Sequence, residues 1–218
     1  MDIRVGDEPA SLAAAWIGRR LRDATRRRGV ASIALSGGGM APPMIDALVE
    51  LDLPWPAVSV WQVDERIAPD GDAARNALQL DRLRALPCRV RLMPVTASDA
   101  RVAARRYAAT LPDWLDVVHL GIGSDGHTAS WPPGSDGIAN SARPIEITDE
   151  FNSWRRMTLT CSVVNRARSR VVLASGVAKR PVIERWLLAD RALPITAVRR
   201  SDTWVFLDAA AAPLVTLH

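Results

Sequence analysis

A chain of 218 residues can bury about 70% of its extended surface, so it needs neither a metal nor a disulfide to hold a fold. Hydrophobic residues make up 48% and charged residues 24%, with a formal charge of +4, the balance of an ordinary globular protein. No apolar run approaches the roughly 20 residues of a membrane span, and the acids of Met1 to Glu8 are unlike a signal peptide, so a cytoplasmic protein without a membrane partner is expected.

The positive charge raises the question of a nucleic-acid partner. Arg19, Arg20, Arg22, Arg26, Arg27 and Arg28 fall on a segment that also carries Leu12, Trp16 and Leu21 on one stripe, the pattern of a solvated face on a core-packed helix. No aromatics interleave with these arginines as base-stacking platforms would, so no nucleic-acid partner is expected. The two cysteines, Cys88 and Cys161, stand far apart and without metal-ligand spacing; they read as free thiols, with no metal and no cofactor. Of the 28 basic residues only Lys179 is a lysine, which suggests a site that wants an ammonium.

In chain order, apolar runs alternate with longer amphipathic segments. Pro9 to Arg28 reads as a helix, Ala31 to Leu35 as a strand, Pro43 to Leu51 as a helix, Ala57 to Val63 as a strand and Ala73 to Ala85 as a helix. Val90 to Met93 follows as a strand, Ser98 to Thr110 as a helix, and Leu115 to Leu120, Met157 to Thr160 and Arg170 to Ala174 as strands. Ala178 to Leu188 reads as the last helix and Thr203 to Leu207 as the last strand. Several strands are apolar on both faces, as buried parallel strands must be. Strand and helix alternation is the α/β signature, and no linker or repeat divides the chain, so one domain over residues 1–218 is expected. Ser130 to Arg155 lacks clear periodicity and is rich in Gly, Pro, Asp and Asn, and a long loop in a compact domain tends to be functional.

Ligands of a parallel α/β sheet bind beyond the carboxyl ends of its strands. Ser36-Gly37-Gly38-Gly39 after the first of these strands lets backbone amides approach a phosphate at a helix start. Val63-Asp64-Glu65-Arg66 places an acid and a guanidinium at a strand end, where the guanidinium can fork onto a phosphate or carboxylate. In Leu120-Gly121-Ile122-Gly123-Ser124-Asp125-Gly126-His127-Thr128-Ala129-Ser130, glycines bracket an Asp and a His and let the backbone present both to one point. His218 is terminal and His119 lies within a strand, so His127 is the histidine placed for chemistry. Gly176-Val177-Ala178-Lys179 puts the lysine in the first turn of a helix, where its charge opposes the helix dipole unless an anion is near.

Taken in order, Leu35 to Gly38, Val63 to Arg66 with Asn76 beyond, Leu120 to Ser130, Arg156 to Thr160 and Gly176 to Lys179 resemble the signature of the 6-phosphogluconolactonases. The resemblance runs from Leu35 to about Leu188. It implies a Rossmann-like three-layer α/β/α sandwich with a mostly parallel sheet, shared with glucosamine-6-phosphate deaminase. It also implies hydrolysis of 6-phospho-D-glucono-1,5-lactone to 6-phosphogluconate, in the oxidative pentose phosphate pathway. This chain departs from the family pattern in three places: Gly39-Met40-Ala41 replaces a hydroxyl-rich continuation of the glycine loop, Phe151 to Arg155 lacks the usual lysine, and Arg75 stands where a serine precedes the Asn.

A lactone is an activated ester, so a placed base, oriented water and oxyanion donors suffice without a metal. His127 is the expected base, with Asp125 or Asp64 fixing its tautomer. The expected phosphate ligands are Ser36 and the amides of Gly37, Gly38 and Gly39, with Arg66, Arg156 and Lys179. Backbone amides of Gly123, Ser124 and Gly126 are the expected oxyanion donors. No Gly-x-Ser-x-Gly elbow is present, which favours direct water attack over an acyl-enzyme, for which Ser124 and Ser130 are the alternative nucleophiles. The partner expected is a small phosphosugar lactone, met by a monomer or weak homodimer. The rival deaminase reading needs an acid after its Gly-His, where this chain has Ala129-Ser130-Trp131. A non-catalytic sugar-phosphate sensor would keep the phosphate ligands and lose the base, which this chain retains.

Overall fold

Strands covered on both faces are mostly apolar, and five short runs approach that pattern: β2 (Ala31–Leu35), β3 (Val58–Gln62), β6 (Val117–Leu120), β9 (Ser169–Ala174) and β10 (Thr203–Leu207). The computed structural model describes residues 1–135, 138 and 141–214. With β1 (Asp2–Val5) and β5 (Arg89–Arg91), these strands form a seven-stranded sheet in the order β1-β10-β9-β6-β2-β3-β5. Every pairing in it is parallel.

Side-chain alternation divides the core into two layers. Ile33, Leu35, Val117, Val171 and Leu173 face α1 (Pro9–Arg28) and α2 (Ala41–Val49). Ala34, Val118, Leu120 and Val172 face the layer of α4 (Ala100–Ala108), α5 (Cys161–Arg166) and α6 (Arg180–Leu187), with α3 (Asp81–Arg84) on the α2 side. The three-layer α/β/α sandwich expected from the sequence is therefore observed. Trp16, Ile17 and Leu21 anchor α1 in the core, each contributing about 1.5–3 kcal/mol of burial. Leu12, on the expected stripe, is exposed. α1 ends at Gly29, whose φ of 77° lets its amide close on Thr25 O.

Several boundaries differ from the sequence pattern. α2 begins at Ala41, before both prolines, because a first-turn amide has no helical partner to lose. The expected helix over Ala73 to Ala85 is a 3₁₀ turn over Asn76–Leu80 followed by the short α3. α4 is capped by Asp99, whose carboxylate accepts from Val102 N at 2.9 Å, so its start lies within the expected Ser98 to Thr110 segment. Among the described residues no helix is long and apolar enough to cross a membrane.

The main correction concerns the strand expected at Met157 to Thr160. It is β8 (Arg156–Leu159), and it pairs antiparallel with β4 (Asp64–Arg66) and β7 (Ile145–Ile147) in a separate three-stranded sheet. β7 lies inside the stretch from Ser130 to Arg155 that showed no period; residues 136, 137, 139 and 140 of that stretch and His218 fall outside the described residues.

The strand order fixes where a ligand can bind. From β2 the chain moves outward to β3 and β5, then returns to β6 on the other side of β2 and continues to β9 and β10. The loops after β2 and β6 thus diverge at their carboxyl ends, and the crevice between them is the switch point of the sheet.

Candidate active site

A cavity of about 430 Å³ opens at this switch point, lined by the glycine loop after β2, Asp64, Arg66, Asn76, the loop after β6 and Lys179. Ser36 N donates to His119 O at 3.1 Å, tying the glycine loop to β6. Gly37 is held against Asn76: a Cβ there would lie 2.0 Å from Asn76 Oδ1, so only glycine fits. Gly38 has φ 111° and its amide is taken by Gln79 Oε1 at 3.1 Å. No acceptor among the described residues takes the amides of Gly37 and Gly39.

β4 supplies three charged residues with three different fates. Asp64 is buried; its Oδ2 accepts from Ser130 Oγ at 2.7 Å, and Ser36 Oγ lies 3.4 Å from its Oδ1. Burial raises its carboxyl above the usual range, against the Ser130 hydrogen bond and the charges of Arg66 and Arg156. Glu65 is fully buried and accepts from the amides of Asn76, Arg66 and Ala77 at 2.7 to 2.8 Å and from Gln62 Nε2 at 2.8 Å. Arg75 Nε pairs with it at 3.2 Å. The arginine that departs from the family pattern thus neutralises a buried acid. Arg66 faces the cavity and donates to Ala74 O.

Arg156 is the register partner of Arg66 across β4 and β8, and its guanidinium lies 5.1 Å from the Phe151 ring. Burial lowers its pKa, and the neighbouring Arg66 charge lowers it further. Unlike Arg66, it is not among the residues that line the cavity.

The loop after β6 holds the acid and base. His127 Nδ1 lies 2.6 Å from Asp125 Oδ1, which also accepts from the His127 amide at 3.1 Å. With a carboxylate as partner, Nδ1 carries the proton and Nε2 is left as the basic nitrogen. Burial raises the Asp125 pKa, but the amide and ring of His127 outweigh it and the net shift is downward. Of the two acids expected to orient the ring, Asp125 does so; Asp64 is spent on Ser130. The Phe151 ring meets the imidazole edge-on at 5.2 Å between centroids.

The glycines of this loop are spatial requirements. A Cβ on Gly123 would lie 2.0 Å from His127 Nδ1 and 2.5 Å from Asp125 Oδ1, and Gly126 has φ 84° with Leu193 pressed against it. The oxyanion expectation is corrected for two residues. Gly123 N donates to His127 O at 2.8 Å and Gly126 N to Gly123 O at 3.0 Å, so the turn itself consumes both amides. Ser124 is exposed and does not line the cavity.

Lys179 is corrected in its local setting. It lies in a 3₁₀ turn over Val177–Lys179, immediately before α6 rather than inside its first turn. Its Nζ donates to Ile122 O at 2.7 Å and lines the cavity. Burial lowers its pKa, partly offset by the charge of Asp125. Asp208, at the end of β10, fixes the approach to this turn by accepting from Ser175 Oγ at 2.6 Å and from Gly176 N.

Sequence reading assigned no role to Glu65, Ser175 or His119. Glu65 and Ser130 lay inside quoted motifs, but the contacts that define them come from other segments. Fold and cavity together define a doubly wound α/β protein with an Asp–His pair, an arginine and a lysine gathered at its switch point.

Comparison with known proteins agrees. The pattern of the family described as glucosamine-6-phosphate isomerases/6-phosphogluconolactonase matches residues 6–207, so the chain belongs to that family. It is 33% identical over 198 residues to a 6-phosphogluconolactonase of Rhizobium meliloti, covering 84% of this chain and 85% of that protein. It is 32% identical over 176 residues to one of Synechocystis sp., covering 74% and 73%. The crystal structure of a 6-phosphogluconolactonase from Shewanella baltica superposes with a TM-score of 0.87 at 28% identity, over 96% of this chain and 98% of that one.

Proposed function

We propose that this chain hydrolyses 6-phospho-D-glucono-1,5-lactone to 6-phospho-D-gluconate, the lactone-opening step of the oxidative pentose phosphate pathway. The observation that carries the reading is the Asp125–His127 pair at 2.6 Å, on the rim of a cavity that also presents Arg66, Lys179 and the glycine loop, in a chain of this family.

Nε2 of His127 takes a proton from water as the water oxygen attacks the lactone carbonyl. The tetrahedral intermediate collapses with cleavage of the bond to the ring oxygen, which receives the proton back from the imidazolium. One water is added and the ring opens to a carboxylic acid, which releases its proton to solvent to leave the carboxylate. Asp125 holds the ring and offsets the positive charge it carries in transit. The substrate phosphate, about −1.5 to −2 at neutral pH, is bound by the amides of Gly37 and Gly39 with Arg66 and Lys179, while Arg156, paired with Arg66 across β4 and β8, reinforces the positive field. The reading includes a cytoplasmic enzyme acting as a monomer or weak homodimer, which size-exclusion chromatography tests.

The deaminase activity within the same family is disfavoured by the residues after His127. Thr128 turns back onto Gly121 O at 2.8 Å, and Ser130 is occupied by Asp64, so no carboxylate succeeds the histidine into the site. Activity on freshly prepared 6-phosphogluconolactone, corrected for spontaneous opening, tests the proposal. Acceleration of lactone opening with no turnover of glucosamine 6-phosphate is expected; the opposite pattern overturns it.

A further inference from the structure

His119 carries a polar ring into a part of the sheet that is otherwise apolar. Alternation along β6 sends Val118 and Leu120 to one core layer and Val117 to the other. His119 shares the face of Val117 and is register partner to Leu35 and Val171, both of which belong to that layer. A hydrophobic residue at this position would complete the layer. Instead the imidazole is 1% exposed and lines the cavity with Met40, Ala41 and Leu173; neither ring nitrogen makes a hydrogen bond of good geometry, although the Ser36 backbone lies near enough to oppose the effect of burial on its pKa.

An unsatisfied buried polar group costs roughly 1–3 kcal/mol, and a neutral imidazole has one donor and one acceptor to satisfy. Arg66 Nε and Asn76 Oδ1 are orphaned in the same way and line the same cavity. Four unmet atoms on three residues thus share this cavity, while those of Arg75, Arg91, Arg156 and Trp186 lie outside it.

We propose that His119 is a substrate-contacting residue: a neutral imidazole that donates its N–H to one sugar oxygen and accepts an O–H at its other nitrogen, recognising hydroxyl groups of the phosphosugar. This rests on the proposed lactonase function and extends it to the specificity of the cavity. A phosphate offers only acceptors and would leave one ring nitrogen unmet, whereas hydroxyl groups supply both roles. Cationic recognition already belongs to Arg66 and Lys179. Burial supports a neutral ring by depressing the His119 pKa to about 4, so the donor and acceptor pattern persists at neutral pH. A substrate lacking the matching hydroxyl leaves the imidazole buried and unpaired, which makes His119 a device for rejecting analogues.

The test uses the whole protein labelled with ¹⁵N-histidine, with His119→Gln assigning the resonance. On titration with 6-phosphogluconate both His119 ring nitrogens should shift while remaining in the neutral range, and inorganic phosphate at the same concentration should leave them in place. If phosphate alone reproduces the shift, or if His127 moves while His119 does not, the hydroxyl contact is overturned and phosphate or ordered water is the partner. In parallel, His119→Leu should raise the KM for the lactone roughly 10- to 100-fold with a smaller change in kcat; an unchanged KM in a folded variant also overturns it. Wild-type protein that neither opens the lactone nor shows any histidine shift removes the lactonase function and this inference together, whereas lactone opening with an inert His119 removes the inference alone.

Discussion

His127 and Asp125 stand two residues apart, and their chemistry depends on the imidazole being held with Nε2 unprotonated. Replacing His127 by Ala removes the base while leaving the cavity walls, so kcat is expected to fall roughly 10²- to 10⁴-fold with little change in KM; steady-state kinetics corrected for spontaneous hydrolysis read this directly. Lys179 is a separate case, because its ammonium is already engaged by Ile122 O at 2.7 Å. A carbonyl neutralises none of its charge, so an anionic ligand remains its natural counterpart. Lys179→Met should lower kcat/KM on the phosphorylated lactone much more than on glucono-1,5-lactone. Equal losses on both substrates would show that the lysine clamps the loop after β6 instead of binding phosphate.

At the level of elements, two short segments do most of the positioning. In the loop after β6, Gly123 leaves room for the Asp125–His127 pair, and a methyl group there would collide with both side chains. Gly123→Ala should therefore reduce kcat by at least about tenfold, with the far-UV spectrum unchanged, because the displaced ring loses its alignment. β4 and the 3₁₀ turn over Asn76–Leu80 are joined by Glu65, which gathers three backbone amides, Gln62 and Arg75. Glu65→Ala strands these donors and leaves Arg75 buried without its partner. A loss of roughly 3–5 kcal/mol in urea unfolding is expected, together with loss of activity as Asn76 and Arg66 drift from the cavity. A variant as stable as the parent would mean that water replaces the carboxylate.

For the molecule as a whole, the buried His119 links stability to pH. Its folded pKa of about 4 lies below the ordinary 6.5. Between those values the unfolded chain binds the extra proton, so stability rises with pH across this window and is lost as pH falls through it. Above about 6.5 both states are neutral and the contribution is complete; by pH 5 it should have dropped by about 2 kcal/mol. Urea titrations of the parent and of His119→Gln at pH 7 and pH 5 check this. The difference between the two pH values should be smaller in the variant by that order, and an identical pH dependence would show that other groups dominate.

The amino-acid sequence by itself determined the parallel α/β layering, because strands covered on both faces must be continuously apolar, as Ala31 to Leu35 and Arg170 to Ala174 nearly are. It also marked the ligand loops, since clustered glycines at strand ends have few other uses, and it supplied the ordered motifs that carry the family resemblance. Only the tertiary structure decided that β4 and β8 leave the main sheet for an antiparallel one, because three charged residues carry no strand periodicity and their pairing bridges nearly a hundred positions. It likewise decided that Asp64 serves Ser130, 66 positions away in sequence, and that Asp125 alone orients His127. The buried ring of His119 was hidden for the same reason: a histidine inside an apolar strand reads as core, and whether its nitrogens meet a partner or a cavity depends on contacts between distant segments that no local pattern encodes.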